Sequence, residues 1–156
     1  MHQVTLTRTL HGSLADTWDL IDDFGAIAEH HPLVEQSPIL NGIERGLGAE
    51  RACHFDNGAV IEERIVEHEP ERLLALEITD FGSFPLKAGG ARFELQPEGV
   101  ARTRVTLTAS FDPKYGLLGD LMAHLVMKRQ FAKSLGGLLK SWDETLRVSA
   151  LRFVAA

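Results

Sequence analysis

The sequence holds a single cysteine, Cys53, among 156 residues. No internal disulfide can therefore staple the fold, and a reducing, cytoplasmic setting is expected. No apolar run approaches the ~20 residues that a membrane-spanning helix needs. The opening stretch MHQVTLTRTL lacks the apolar block of a secretory leader. Bases are the minority, 16 Lys and Arg against 22 Asp and Glu, and the net charge of −6 is spread over interspersed residues, so nucleic acid is not an expected partner. There is no cluster of Cys, His or Asp at metal-ligand spacing. His30 and His31 are adjacent, so in an extended segment they point to opposite sides and cannot easily hold one ion together. Neither a metal nor another cofactor is expected. Repeats, low-complexity stretches and linkers are also absent, and the length suits one domain over 1–156.

What is present begins with the last third. From about Pro113 to Val148, Leu118, Leu121, Met122, Leu125, Val126, Phe131, Leu135, Leu138, Leu139, Trp142 and Leu146 recur at three- and four-residue steps. That spacing predicts one long amphipathic helix with its apolar residues on a single stripe. At ~30 residues such a helix is roughly 45 Å long. It cannot bury its stripe alone, so the preceding chain must wrap it.

The preceding chain reads as strands. Val4, Leu6 and Leu10 alternate with Thr5, Thr7 and Thr9, the period of a half-buried strand. Ser13 to Asp16 looks like a helix cap, opening a short helix through Asp22. A second helical turn is expected over Ala26–Glu29, ended by Pro32. Strands then follow near Val34–Leu40, Ala49–Phe55, Ala59–Glu67, Leu73–Thr79, Ala91–Gln96 and Arg102–Phe111, separated by turn residues such as Asn41-Gly42 and Asp56-Asn57-Gly58. Short turns make neighbouring strands antiparallel. The expectation is an α+β fold: a curved, seven-stranded antiparallel sheet gripping the long helix, with two short helices between the first two strands. Trp18 and Trp142 are expected in the core. The segment Gly82–Gly90 is expected as a loop, either a plain connection or a lid. Gly136-Gly137 is expected to mark a kink or a close approach to the sheet.

The hairpin around Asp56-Asn57-Gly58 carries the sharpest expectation. Its two apolar faces coincide only if the loop has three residues, because cross-strand partners point the same way. Gly58 then takes a left-handed conformation. This register pairs Phe55 with Ala59, Cys53 with Ile61 and Arg51 with Glu63, and turns an arginine and a glutamate inward. A cross-strand pair at the wet edge of the sheet is the plain alternative, worth at most about 1 kcal/mol. Held inside, the pair would be a polar anchor in an apolar pocket. Cys53 shares that face. A neighbouring arginine would lower its thiol pKa, although most inward cysteines simply pack.

At this point the chain resembles the START, or SRPBCC, superfamily of helix-grip proteins, and within it the bacterial polyketide-cyclase/dehydrase-like group. The similarity rests on Ala15-Asp16-Thr17-Trp18, Asp22-Asp23-Phe24, His31-Pro32-Leu33-Val34, Gly46 to Arg51, Gly58 with Glu63-Arg64-Ile65, Arg102 to Val105 and the long C-terminal helix. The resemblance implies an apolar cavity between sheet and helix. His30, Cys53, Phe55, Ile61, Leu76, Phe93, Leu107, Met122 and Phe131 are the residues expected to line it. The lachrymatory-factor synthase branch looks similar around Arg51 and Glu63, where its own arginine and glutamate are the catalytic pair. Relatives often carry Trp at the place of His30 and aromatics at Leu76 and Leu107, so a larger or more aliphatic cavity is expected. The sole tyrosine, Tyr115, lies away from the family's usual position near Gly89, which weakens any tyrosine-dependent mechanism.

Three functions follow. One is a carrier or binder of a small hydrophobic molecule such as a lipid, polyketide or aromatic compound. Another is an enzyme of the cyclase, dehydratase or isomerase kind, with Glu63 as acid or base and Arg51 steadying a negative oxygen. The third is a protein-interaction module, which would show a large exposed apolar patch. The oligomeric state stays open, a homodimer included.

Overall fold

Alternation in the first strand and small residues in the helix that ends the chain decide how the two layers meet. The computed structural model describes residues 1–155, with side chains as far as Arg152. Strand β1 (His2–Leu10) leads into helix α1 (Leu14–Asp22) and a 3₁₀ segment (Phe24–Glu29). Strands β2 (Val34–Gln36), β3 (Glu50–Phe55), β4 (Val60–Glu69), β5 (Leu73–Asp80), β6 (Leu86–Pro97) and β7 (Thr103–Pro113) follow. Helix α2 (Gly116–Met122), a π turn (Ala123–Met127) and helix α3 (Lys128–Ala155) close the chain. The seven strands form one antiparallel sheet in the order β1-β7-β6-β5-β4-β3-β2. This is the helix-grip architecture expected from the sequence.

Ser13 caps α1, its hydroxyl accepting the Asp16 N–H at 3.1 Å, and the helix buries Trp18 and Ile21. The next turn is fixed from outside. Buried Ser37 accepts the Ala28 N–H at 3.0 Å and donates to the Gly25 carbonyl at 2.7 Å. The core gathers α1, the 3₁₀ segment and the inner faces of β3 to β7 around Leu138, Leu139, Trp142 and Leu146 of α3. Trp18 and Trp142 both lie in it.

Three elements depart from the sequence expectation. The strand expected over Val34–Leu40 is split: β2 ends at Gln36, and the chain rejoins β3 only at a single Ile39–Arg51 bridge. Pro38, which has no N–H to donate, sits in the break and gives only its carbonyl, to Ala52. Conversely, β6 begins at Leu86, so Ala88-Gly89-Gly90 belongs to a strand and not to a loop. A Cβ at Gly90 would stand 2.5 Å from the Leu76 carbonyl oxygen. Glycine here serves close approach of β5 and β6.

The third departure is in the long helix. Its stripe is buried from Leu138 onward, but Leu118, Leu121, Met122 and Leu125 face solvent. The π turn explains this. The Lys128 N–H reaches back five residues to the Ala123 carbonyl, and the extra residue rotates everything before it by about 100°. Leu121 and Leu125 are thereby turned away from the stripe that α3 buries. Gly119 and Ala123 turn in, against the end of β7 and a second apolar cluster of Leu86, Phe111 and Ala123. The irregularity in the helix therefore lies at 123–127. Gly137 instead admits Pro32, whose Cγ would be 3.1 Å from an added Cβ.

Candidate ligand-binding site

The β3–β4 hairpin has the three-residue loop Asp56-Asn57-Gly58, with Gly58 at φ +85°. Asn57 Oδ1 accepts the Ala59 N–H at 3.0 Å, and Phe55 N–H donates to the Ala59 carbonyl at 2.8 Å. The loop sets the register, so Cys53 faces Ile61 and Arg51 faces Glu63. Both charged side chains point inward and are buried.

Arg51 Nε and Nη2 each lie 2.7 Å from Oε2 of Glu63. Nη1 donates to the Phe24 carbonyl at 2.8 Å, and the guanidinium carbon sits 3.9 Å over the Phe24 ring. The pair thus ties β3 and β4 to the 3₁₀ segment. The Cys53 thiol leans on the same oxygen at 3.5 Å. Glu63 Oε1, by contrast, has no protein partner among the described residues. The buried side-chain polar atoms left unpaired among them are Thr17 Oγ1 and Trp142 Nε1; Glu63 is not among these, and its side chain, 11% exposed, lines the cavity.

That cavity measures about 670 Å³, inside the range of small-molecule sites. Its inner wall is Arg51, Cys53, Ile61, Glu63, Leu76, Phe93 and Leu138, all buried. Ile78, Phe84, Phe111, Phe131 and Leu135 continue the apolar lining. Six lining residues are themselves exposed and mark the mouth: Pro32 and Leu33 after the 3₁₀ segment, Asp56 and Asn57 at the hairpin tip, Gln130 and Lys133 on α3.

Two groups on the wall have displaced proton affinities. Burial pushes the His31 imidazole down to about 4, outweighing the raising effect of Glu63. At neutral pH His31 is therefore uncharged. Its Nδ1 accepts the Leu33 N–H at 3.1 Å, which leaves the proton on Nε2. His31 thus offers a neutral donor on the wall of the same cavity as the carboxylate. The Cys53 thiol is pushed up to about 12, first by burial and then by the charge of Glu63, against a smaller lowering by Arg51. The expected activation of this thiol by arginine is reversed, because desolvation outweighs one neighbouring cation. Among the described residues, no group of three or more His, Cys, Asp or Glu side chains gathers where a metal ion could be held.

The residues expected at the site are thus placed as follows. Arg51, Glu63, Cys53, Phe55, Ile61, Leu76, Phe93 and Phe131 come together on the cavity wall. His30, Leu107 and Met122 do not. His30 turns to α3, its Nδ1 3.3 Å from Ser141 Oγ and its ring 6.3 Å from that of Trp142. Leu107 is fully buried where the layers touch: its strand partner Phe93 meets Trp142 edge-on at 5.7 Å, which leaves no space. Met122 is exposed on the outer face of α2. His31, not His30, lines the cavity; the adjacent pair must point apart, but sequence alone does not say which member faces in. Ser110, Gln130, Lys133 and Ser134 were also missed. Ser110 reaches the cavity from β7, and Gln130, Lys133 and Ser134 reach it from the first turns of α3.

A family model described as polyketide cyclase/dehydrase and lipid transport matches residues 1–141. No curated protein sequence matches the chain. Among solved structures, a Thermobifida fusca protein is 26% identical, with a TM-score of 0.68 over 91% of this chain and 93% of its own. A START superfamily protein from Mycobacterium smegmatis shares 16% identity at a TM-score of 0.75, covering 94% and 98%. A di-domain ARO/CYC protein of the steffimycin biosynthetic pathway shares 12% at a TM-score of 0.75, covering 95% of this chain and 52% of that one. The latter two likenesses establish a common fold.

Proposed function

The chain belongs to the polyketide cyclase/dehydrase and lipid transport family, and on that footing we propose that it binds a small, largely apolar molecule carrying one hydroxyl, with that hydroxyl donated to Glu63 Oε1. The supporting observation is the division of labour on one carboxylate. Oε2 is saturated by Arg51, while Oε1 stands open in a cavity whose walls are mainly apolar. An ionised carboxylate accepts hydrogen bonds and donates none. Arg51 balances its charge, so the site asks for a neutral donor and not for a cation. His31 Nε2 supplies a complementary donor to a ligand oxygen. Aliphatic and aromatic walls select the rest of the molecule by size and shape.

A second reading keeps the same atoms. Glu63 Oε1 takes a proton from a bound ligand, and the developing negative oxygen is steadied by Arg51, two of whose five N–H groups remain uncommitted, or by His31 Nε2–H. The reaction class is then a cyclisation, dehydration or isomerisation. The open carboxylate oxygen within a largely apolar cavity is what favours this reading.

Native mass spectrometry of gently purified protein, followed by extraction of what is bound, tests the binding function. A stoichiometric apolar, hydroxyl-bearing molecule is expected, retained by the wild type and lost from an Arg51→Met/Glu63→Leu double variant. A stoichiometric carboxylate or cation, or equal retention by the double variant, overturns the assignment. For the second reading, turnover of an apolar hydroxylated substrate must fall in Arg51→Ala and in Glu63→Gln. Unchanged turnover removes both residues from the chemistry.

A further inference from the structure

The nearly three turns of chain from Leu117 to Val126 make a continuous surface. Leu117, Leu118, Leu121, Met122, Leu125 and Val126 follow one another along a single face of α2 and the π turn, and all are exposed. Leu117 is 89%, Leu118 67% and Leu125 62% open to solvent. The opposite face of the same segment holds Gly119 and Ala123 against the sheet. The helix therefore buries its smallest residues and displays its largest apolar ones. This is the reverse of what burial of apolar surface rewards in an isolated domain. An apolar stripe this continuous marks an interaction surface.

Charge identifies what meets it. Residues 114–133 carry four bases, Lys114, Lys128, Arg129 and Lys133, against one acid, Asp120, a net +3 in a chain whose total is −6. The remainder is therefore −9. A second copy joined face to face would set two +3 segments against each other. A head-to-tail contact onto the acidic remainder is heterologous, not the self-complementary contact of a two-fold dimer. An apolar stripe flanked by lysine and arginine, with Tyr115 exposed at its start, has instead the composition of a helix lying in the surface of a lipid bilayer. The stripe also leads to the cavity. Arg129 and Gln130 follow Val126 within about one turn, and Gln130 lies at the mouth.

We propose that α2 and the π turn dock this protein on an anionic lipid surface, with Leu117, Leu118, Leu121 and Leu125 entering the acyl boundary and Lys114 and Arg129 meeting lipid phosphates. Docking of this kind sets the cavity mouth beside the bilayer, where an apolar ligand is dissolved. The acidic remainder of the molecule is held off the surface, which fixes its orientation.

Flotation with vesicles tests this directly. Full-length protein is mixed with phosphatidylcholine vesicles containing or lacking phosphatidylserine, at low and at high salt. The wild type is expected to float with the anionic vesicles at low salt and to stay behind with the neutral ones. Lys114→Ala/Arg129→Ala should lower the partition coefficient by about fivefold per removed charge. Leu118→Ser/Leu125→Ser should lower it by at least tenfold. Because all four residues are exposed, the variants should keep the wild-type near-ultraviolet circular dichroism. Failure of the wild type to float with anionic vesicles overturns the proposal, as does flotation untouched by either double substitution. Sedimentation velocity gives a third decisive outcome: a wild-type dimer that Leu118→Ser/Leu125→Ser converts to monomer assigns the stripe to a second copy instead.

Discussion

Arg51 and Glu63 face each other across β3 and β4 with two guanidinium nitrogens on one carboxylate oxygen, each at 2.7 Å, and nothing of the protein on the other. The asymmetry matters more than the pairing. A buried ion pair is poor evidence of stability, because desolvation cancels much of its attraction. A pair that leaves one oxygen open in a cavity leaves an acceptor without a protein partner, the unfinished half of a hydrogen bond.

Removing one member should therefore cost far more than removing both. Glu63→Leu leaves a buried, uncompensated guanidinium and is expected to lose about 3–5 kcal/mol of unfolding free energy. Arg51→Met/Glu63→Leu replaces the pair with apolar groups and is expected to stay near the wild-type value. Urea unfolding of the three proteins measures this. A double variant as unstable as the single one would mean that the pair holds the fold together.

His31 gives the stability a pH dependence. Its imidazole is pushed down to about 4 in the folded protein, mainly by burial, from an ordinary 6.5. Between these values the unfolded chain binds a proton that the folded chain refuses. Stability from this group is thus complete above pH 6.5 and falls as pH drops toward 4, by at most about 1.4 kcal/mol per pH unit. His30 is lowered too, by burial, and adds in the same direction. Thermal unfolding from pH 7 to pH 4.5 should show a steeper decline in wild type than in His31→Gln. Parallel curves would show that the ring titrates freely.

Glycine substitutions separate the two layers. Gly136, in the interior of α3, has nothing within 4 Å of an added Cβ, so Gly136→Ala should raise stability by up to about 1 kcal/mol through helix propensity alone. At Gly90 an added Cβ would stand 2.5 Å from the Leu76 carbonyl oxygen. Gly90→Ala must part β5 from β6 and should cost about 1–3 kcal/mol. Chemical denaturation decides both signs.

The sheet and its hairpin register were legible because period-two alternation and a three-residue loop act locally. Arg51 opposite Glu63 follows from parity and the position of Gly58 alone. The cavity was less so. Leu107 has the right parity but lies where Phe93 and Trp142 close the gap, a matter of side-chain packing between layers. The choice of His31 over His30 depends on which way the chain leaves the 3₁₀ segment. The outward turn of Met122 was harder to read: the only signal is the five-residue step from Val126 to Phe131, which follows directly on the π turn. The π turn breaks the helix phase so that Gly119 can lie against the end of β7, where an added Cβ would be 1.8 Å from the Lys114 carbonyl oxygen.

The most direct test of the open carboxylate oxygen is calorimetric titration with two ligands of one shape, 2-naphthol and 2-naphthoate. The first offers a neutral donor to Glu63 Oε1; the second brings a carboxylate against it. The account predicts that 2-naphthol binds at least tenfold more tightly, and that the preference disappears in Arg51→Met/Glu63→Leu. Equal affinity for the two ligands, or a preference for 2-naphthoate in the wild type, would contradict it.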